Sequence, residues 1–291
     1  MAEAGKVPVG ECVGAAMRFA RANARFLAIW SGLGAAAGTL LSAIGLLVPP
    51  LSLPAMLASG FVQAIAYAAF IRVALGGVAS SRQGLVRDGW NVWAAMAVIA
   101  FFLFIVLVVA IFPAAIALAV GPLAPYVSDL QAAGENQEAV LAVMTRFAEQ
   151  NPGALLALTL FFGGIWLLLT SRLYLAAPAS VEAKRVMVFD TWKMTKGAML
   201  RVCAARLLLL APAYLLVGAL SYLLGGVLGI DTMDLNAVAE LAATNPAGVL
   251  IYNLLVSFLS LALYSSFEAG LSAYLYLGLK PAAATPASTD S

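Results

Sequence analysis

The sequence predicts an all-α integral membrane protein with six transmembrane helices arranged as three similar hairpins, and with amphipathic interfacial segments. Three observations predict it. Hydrophobic residues make up 63% of the 291 residues and charged residues 10%, against about half and about a quarter in soluble domains, and the mean hydropathy is +0.98. Six apolar runs are each long enough to span a bilayer core, which takes about 20 residues. Basic residues gather in alternate connections, as they do in cytoplasmic loops.

The first run, residues 26–48, closes at Pro49-Pro50, and the second covers 54–75. The third covers 92–120 and the fourth 152–176. The fifth covers 199–224 and the sixth 246–279. The third and sixth exceed the bilayer core, so they tilt or project from it. Residues 1–25 form a cytoplasmic N-terminal segment, and the Ala/Thr/Ser/Pro-rich stretch 280–291 is too poor in apolar residues to pack and reads as a disordered cytoplasmic tail. The first run follows Lys6, Arg18, Arg21 and Arg25 and is too long for a signal-peptide core, so it reads as a signal anchor and not as a cleaved leader.

Fifteen of the sixteen Lys and Arg residues then fall on one side, with Arg146 alone on the other. Both termini are therefore expected in the cytoplasm, in a bacterial inner membrane. The opposite connections are acidic, with Asp129, Glu135, Glu138 and Glu149 in one and Asp231, Asp234 and Glu240 in the other. Each ends in Asn-Pro, at Asn151-Pro152 and Asn245-Pro246, and proline suits a first helical position because that N–H would have no partner there. Upstream of each turn, Glu138–Gln150 and Leu235–Thr244 read as short amphipathic helices. This shared plan, with the basic and aromatic lead-ins Met17–Asn23, Arg87–Trp90 and Asp190–Trp192, is the basis for three hairpins in the same orientation. Such repeats differ from the inverted repeats of many secondary transporters.

The charged block from Arg172 to Arg206 reads as a basic elbow between two spans. Its segment Val181–Lys196 places Val181, Val188 and Trp192 on one helical face, which suggests an interfacial helix. Lys184, Arg185, Lys193, Lys196 and Arg201 are candidate contacts for anionic lipid headgroups. The competing and favoured reading of the same residues is plain topology, with Trp192 as an interfacial anchor. The residues Arg172, Leu173, Leu175, Pro178, Trp192, Lys193, Thr195, Lys196, Gly197 and Arg201 also carry a resemblance. The stretch resembles the six-helix membrane domain found in some bacterial glycerophosphodiester phosphodiesterases and in related stand-alone membrane proteins of unknown function. The resemblance implies a fold and a membrane role. It does not imply the reaction, because the soluble phosphodiesterase barrel is absent and there is no histidine in the chain.

Glu268 is the most pointed residue inside a span. It precedes Lys280 by about 12 residues, or roughly 18 Å of helix. A carboxylate at that depth takes a partner, and Arg172 and Arg206 lie at overlapping depths. The pair reads first as a structural ion pair and alternatively as a proton, ion or anion site. Gly34-x-x-x-Gly38 permits close helix contact, with packing inside the chain favoured over a homo-oligomer. Two cysteines and no histidine give no metal-ligand set and no Ser-His or Cys-His catalytic pair, and no phosphate-binding glycine loop is present. No cofactor is expected, and a net charge of +2 gives no reason to expect nucleic acid. The expected partners are membrane lipids and a membrane protein. The leading function is a non-enzymatic inner-membrane protein that organises a complex or modulates lipids through the elbow. The alternative is a transporter or lipid-handling channel using Glu268 with an arginine, and an intramembrane enzyme is a weaker third.

Overall fold

The computed structural model describes residues 8–81, 84–230, 241 and 244–280. Their regular elements are helices, and six stretches are long and apolar enough to cross a membrane: Ala24–Leu47, Pro49–Gly76, Leu85–Val120, Pro152–Ala183, Met199–Leu228 and Pro246–Leu279. Each overlaps one of the six expected runs. Large apolar side chains stand exposed along them, with Val120 80% and Val227 83% accessible. A soluble surface rarely carries apolar patches on this scale. The helix expected over Leu235–Thr244 falls largely outside the described residues, as do Lys6, Arg82 and the C-terminal tail.

The chain divides into two compact units, Met1–Ala97 with Ser171–Ser291, and Val98–Thr170. The first contains α1 (Val9–Ala22), α2 (Ala24–Leu47) and α3 (Ser52–Gly76). A 3-10 turn over Pro49–Leu51 joins α2 to α3, which is why the second span starts before the expected Pro54. The helix α4 (Leu85–Val120) begins in the first unit and ends in the second. Three side-chain-free positions set the packing of the first unit. A methyl group at Gly34 would lie 3.2 Å from Ala66 Cβ and 3.0 Å from Leu261 Cδ1. One at Gly38 would lie 3.0 Å from Ser59 Oγ. One at Gly89 in α4 would lie 3.0 Å from Ile65 Cα in α3. Gly34 and Gly38 thus face the chain's own helices.

The second unit holds the rest of α4, then α5 (Val127–Ala133), α6 (Gln137–Gln150) and most of α7 (Pro152–Arg172). The amphipathic helix expected over Glu138–Gln150 is α6. Its N-terminus is capped by Asn136, whose side chain accepts the N–H groups of Glu138 and Ala139. Its buried face, Val143 and Phe147, packs on Tyr126. The Tyr126 hydroxyl donates to Gln150 Oε1 at 2.5 Å and accepts from Asn151 Nδ2 at 3.2 Å, so the Asn-Pro turn is held by a polar clasp.

The first unit is completed by α8 (Ala176–Ala183), α9 (Asp190–Met194), α10 (Met199–Leu228), α11 (Pro246–Leu259) and α12 (Ser266–Leu279). Between α11 and α12, residues Ser260–Ser265 are wound as a π-helix. The fully buried side chains include Phe70, Ile71, Leu173, Leu175, Leu271 and Leu275, so the core gathers where α3, α8 and α12 meet.

Candidate functional site

The basic elbow is built from the end of α7 to the start of α10. Leu173 and Leu175 are fully buried where α7 stops, and all of Ala176–Val181 is buried in α8. Small side chains let α8 lie against both α3 and α12. Lys184 then takes the left-handed conformation at φ 56° and reverses the chain. The buried Ser180 hydroxyl accepts the Met187 N–H at 2.9 Å and so fixes the return. One continuous interfacial helix over Val181–Lys196 is therefore corrected to two short helices and a turn. Val181 and Val188 are both buried, brought in by the fold-back and not by helical period.

Two buried threonines lock the second half of the elbow. Thr191 Oγ1 donates to Val188 O at 2.6 Å, and Thr195 Oγ1 donates to Arg172 O at 3.0 Å. The latter bond ties α9 to the end of α7. Trp192 is half-buried, and the Arg172 guanidinium lies over its ring at 5.5 Å, within the range of a cation–π contact. Gly197, at φ 84°, makes the turn into α10. Lys184, Arg185, Lys193, Lys196 and Arg201 are all exposed. The apolar face of α1 (Val9, Cys12, Val13 and Ala16) packs into the same cluster as Ala179, Met187, Met194 and Val202. Arg18 and Arg21 of α1 are exposed as well, so α1 adds cations to the region of the elbow.

The second candidate lies around Glu268, in the first turn of α12, directly after the π-helix. π-Bulges occur frequently at functional positions. Glu268 and Arg206 are both within electrostatic reach of the hydroxyls of Tyr67, Tyr174 and Tyr264. Arg206 is 7% exposed. Its Nη1 donates to Ser171 Oγ at 2.7 Å, and its guanidinium stands 4.7 Å over the Tyr174 ring. The Tyr174 hydroxyl in turn donates to the backbone carbonyl of Glu268 at 3.4 Å. The expected ion pair of Glu268 with Arg172 or Arg206 is not among the contacts between described residues. Ion pairs among the described residues join Arg72 and Arg87 to Asp88, Arg146 to Asp129, and Lys280 to Glu182. Glu268 is in none of them. Arg172 lies with the elbow, over Trp192.

Asp88 is a residue that reading the sequence missed. It is 0% exposed, and its Oδ2 lies 2.5 Å from Arg72 Nε, with Arg87 Nε 3.4 Å from Oδ1. The signal was present, since Asp88 is the lone acid between Glu11 and Asp129. Its place in the first turn of α4 also suits a carboxylate, because the helix dipole is positive there. Beside it, Trp90 and Trp93 stack at 5.3 Å, with Phe61 edge-on to both. Among the described residues no three His, Cys, Asp or Glu side chains gather to hold a metal ion. The chain matches no protein-family model, no curated protein and no solved structure.

Proposed function

We propose that this chain is a non-enzymatic, multi-pass protein of a bacterial inner membrane that engages anionic lipid headgroups, or a membrane complex, through the elbow. Both termini and the elbow face the cytoplasm in this reading, and the resemblance of Arg172–Arg201 to the membrane domain of certain phosphodiesterases fits it. The observation that carries it is the exposure of Lys184, Arg185, Lys193, Lys196 and Arg201, with Val186 and Phe189 also exposed, on a segment anchored by the buried Val188, Thr191 and Thr195. A cation near an anionic leaflet contributes about 1 kcal/mol. Neutralising both Lys193 and Lys196 to Gln should therefore cost about 2 kcal/mol and weaken retention of anionic phospholipid by about thirtyfold, read by native mass spectrometry of the purified chain. Unchanged retention would remove the headgroup role and leave the elbow as an orientation signal.

A second reading is a transporter or lipid-handling channel at Glu268. It is favoured by the π-helix at Ser260–Ser265 and by the tyrosines and arginine around the carboxylate. Glu268→Gln should then abolish flux in reconstituted vesicles while the protein still accumulates.

A further inference from the structure

A groove of about 510 Å³ runs along the α2–α3 hairpin, lined by Ser42, Gly45, Ser52, Met56, Ser59 and Gln63 among others. No charged residue lines it. Its polar groups descend into the span. Ser52 begins α3, and Gln63 lies 11 residues further on, roughly 16 Å along the helix.

These groups are not all occupied by the protein. Ser42 Oγ donates to Gly38 O at 3.0 Å, the back-bond a helical serine usually makes. Ser59 makes no such bond. It is only 8% exposed, and its hydroxyl has no hydrogen-bond partner among the described residues. The missing side chain at Gly38 lets α2 come close to these two groups, for a Cβ there would stand 3.0 Å from Ser59 Oγ and 3.7 Å from Gln63 Nε2. An unmade hydrogen bond in hydrocarbon costs more than one in water, because no solvent replaces the partner.

We infer that this groove binds an uncharged lipid bearing hydroxyl and ester groups, of the diacylglycerol type. The walls select it in three ways. The absence of charge gives a phosphate nothing to pair with. A serine hydroxyl can donate to an ester carbonyl or accept from a lipid hydroxyl, and the glutamine amide can do both. A volume of about 510 Å³ falls in the size range of ligand pockets and suits the glycerol-ester region, while the acyl chains extend into the bilayer. The inference rests on the membrane-embedded reading and not on headgroup binding at the elbow, so the two fail separately.

The test uses the full chain in phosphatidylcholine nanodiscs. A diacylglycerol carrying a diazirine next to its ester is compared with a phosphatidylcholine carrying the same group. The diacylglycerol probe should label peptides within residues 42–63, and excess unlabelled diacylglycerol should displace it. Gln63→Leu removes the amide while favouring the span, and should lower displaceable labelling by about fivefold, the effect of one hydrogen bond. Met56→Trp, at an exposed position of the groove, should lower it by obstruction. Equal labelling by both probes, labelling that excess diacylglycerol does not displace, or labelling unchanged in both variants would show that the groove holds bulk lipid or water, and would overturn the inference.

Discussion

Arg206 and Glu268 are joined through Tyr174 and not by a direct ion pair. The arginine stacks on the tyrosine ring at 4.7 Å, and the tyrosine hydroxyl reaches the Glu268 carbonyl at 3.4 Å. The contact therefore runs to the backbone of residue 268.

This arrangement separates the two residues by mutation. Glu268→Gln keeps the backbone contact and should change thermal stability in detergent by less than about 1 kcal/mol. Arg206→Met loses the Ser171 hydrogen bond and the ring contact, and should cost about 2 kcal/mol. Equal, large losses in both would indicate a direct salt bridge.

Asp88 should be the most sensitive acid in the first unit. Asp88→Ala leaves Arg72, itself only 13% exposed at its side chain, facing a buried position without its carboxylate. Breaking a buried pair from one side costs about 3–5 kcal/mol. The double variant Asp88→Leu with Arg72→Met should recover much of that loss, because neither charge is stranded. Chemical denaturation of the four proteins measures the coupling, and additive losses would contradict it.

The α1–α12 contact can be tested at Gly270. A methyl group there would meet Phe19 Cδ1 at 2.8 Å and Ala16 Cα at 3.3 Å. Gly270→Ala should lift α1 and raise its cleavage by protease, at a cost of about 1–3 kcal/mol. Phe19→Leu should partly rescue it, since the backbone contact is the longer of the two.

Cys12 gives a chemical readout of the same helix. Burial, and secondly the neighbouring Glu11 carboxylate, push its thiol above the ordinary range. A raised thiol holds less thiolate at neutral pH, and the thiolate is the nucleophile. Alkylation of Cys12 should therefore be slow at pH 7, should accelerate as pH rises, and should be faster in Glu11→Gln. A rate equal to that of a free peptide thiol would contradict the burial.

The six spans were legible because a bilayer imposes length and apolarity directly on sequence, and neither depends on how the helices pack. The Asn-Pro turn at Asn151 was legible for a similar local reason. The elbow was only half legible. Its exposed cations could be named, but the fold-back depends on Lys184 adopting a left-handed conformation and on Ser180 capping Met187, and neither has a strong local signature. Glu268 could be singled out as an acid in an apolar run. Its relation to Arg206 could not, because Tyr174 stands between them and tyrosine carries no charge to mark it. The π-helix at Ser260–Ser265 has no periodic signal of its own within a uniformly apolar helix.

The orientation of the elbow is tested most directly by labelling single cysteines in intact cells, in a background where Cys12 and Cys203 are replaced by serine. With a membrane-impermeant maleimide, Glu138→Cys should label from outside, whereas Lys193→Cys should label only after the membrane is opened. Labelling of Lys193→Cys in unopened cells would place the basic elbow on the outer side and contradict the account.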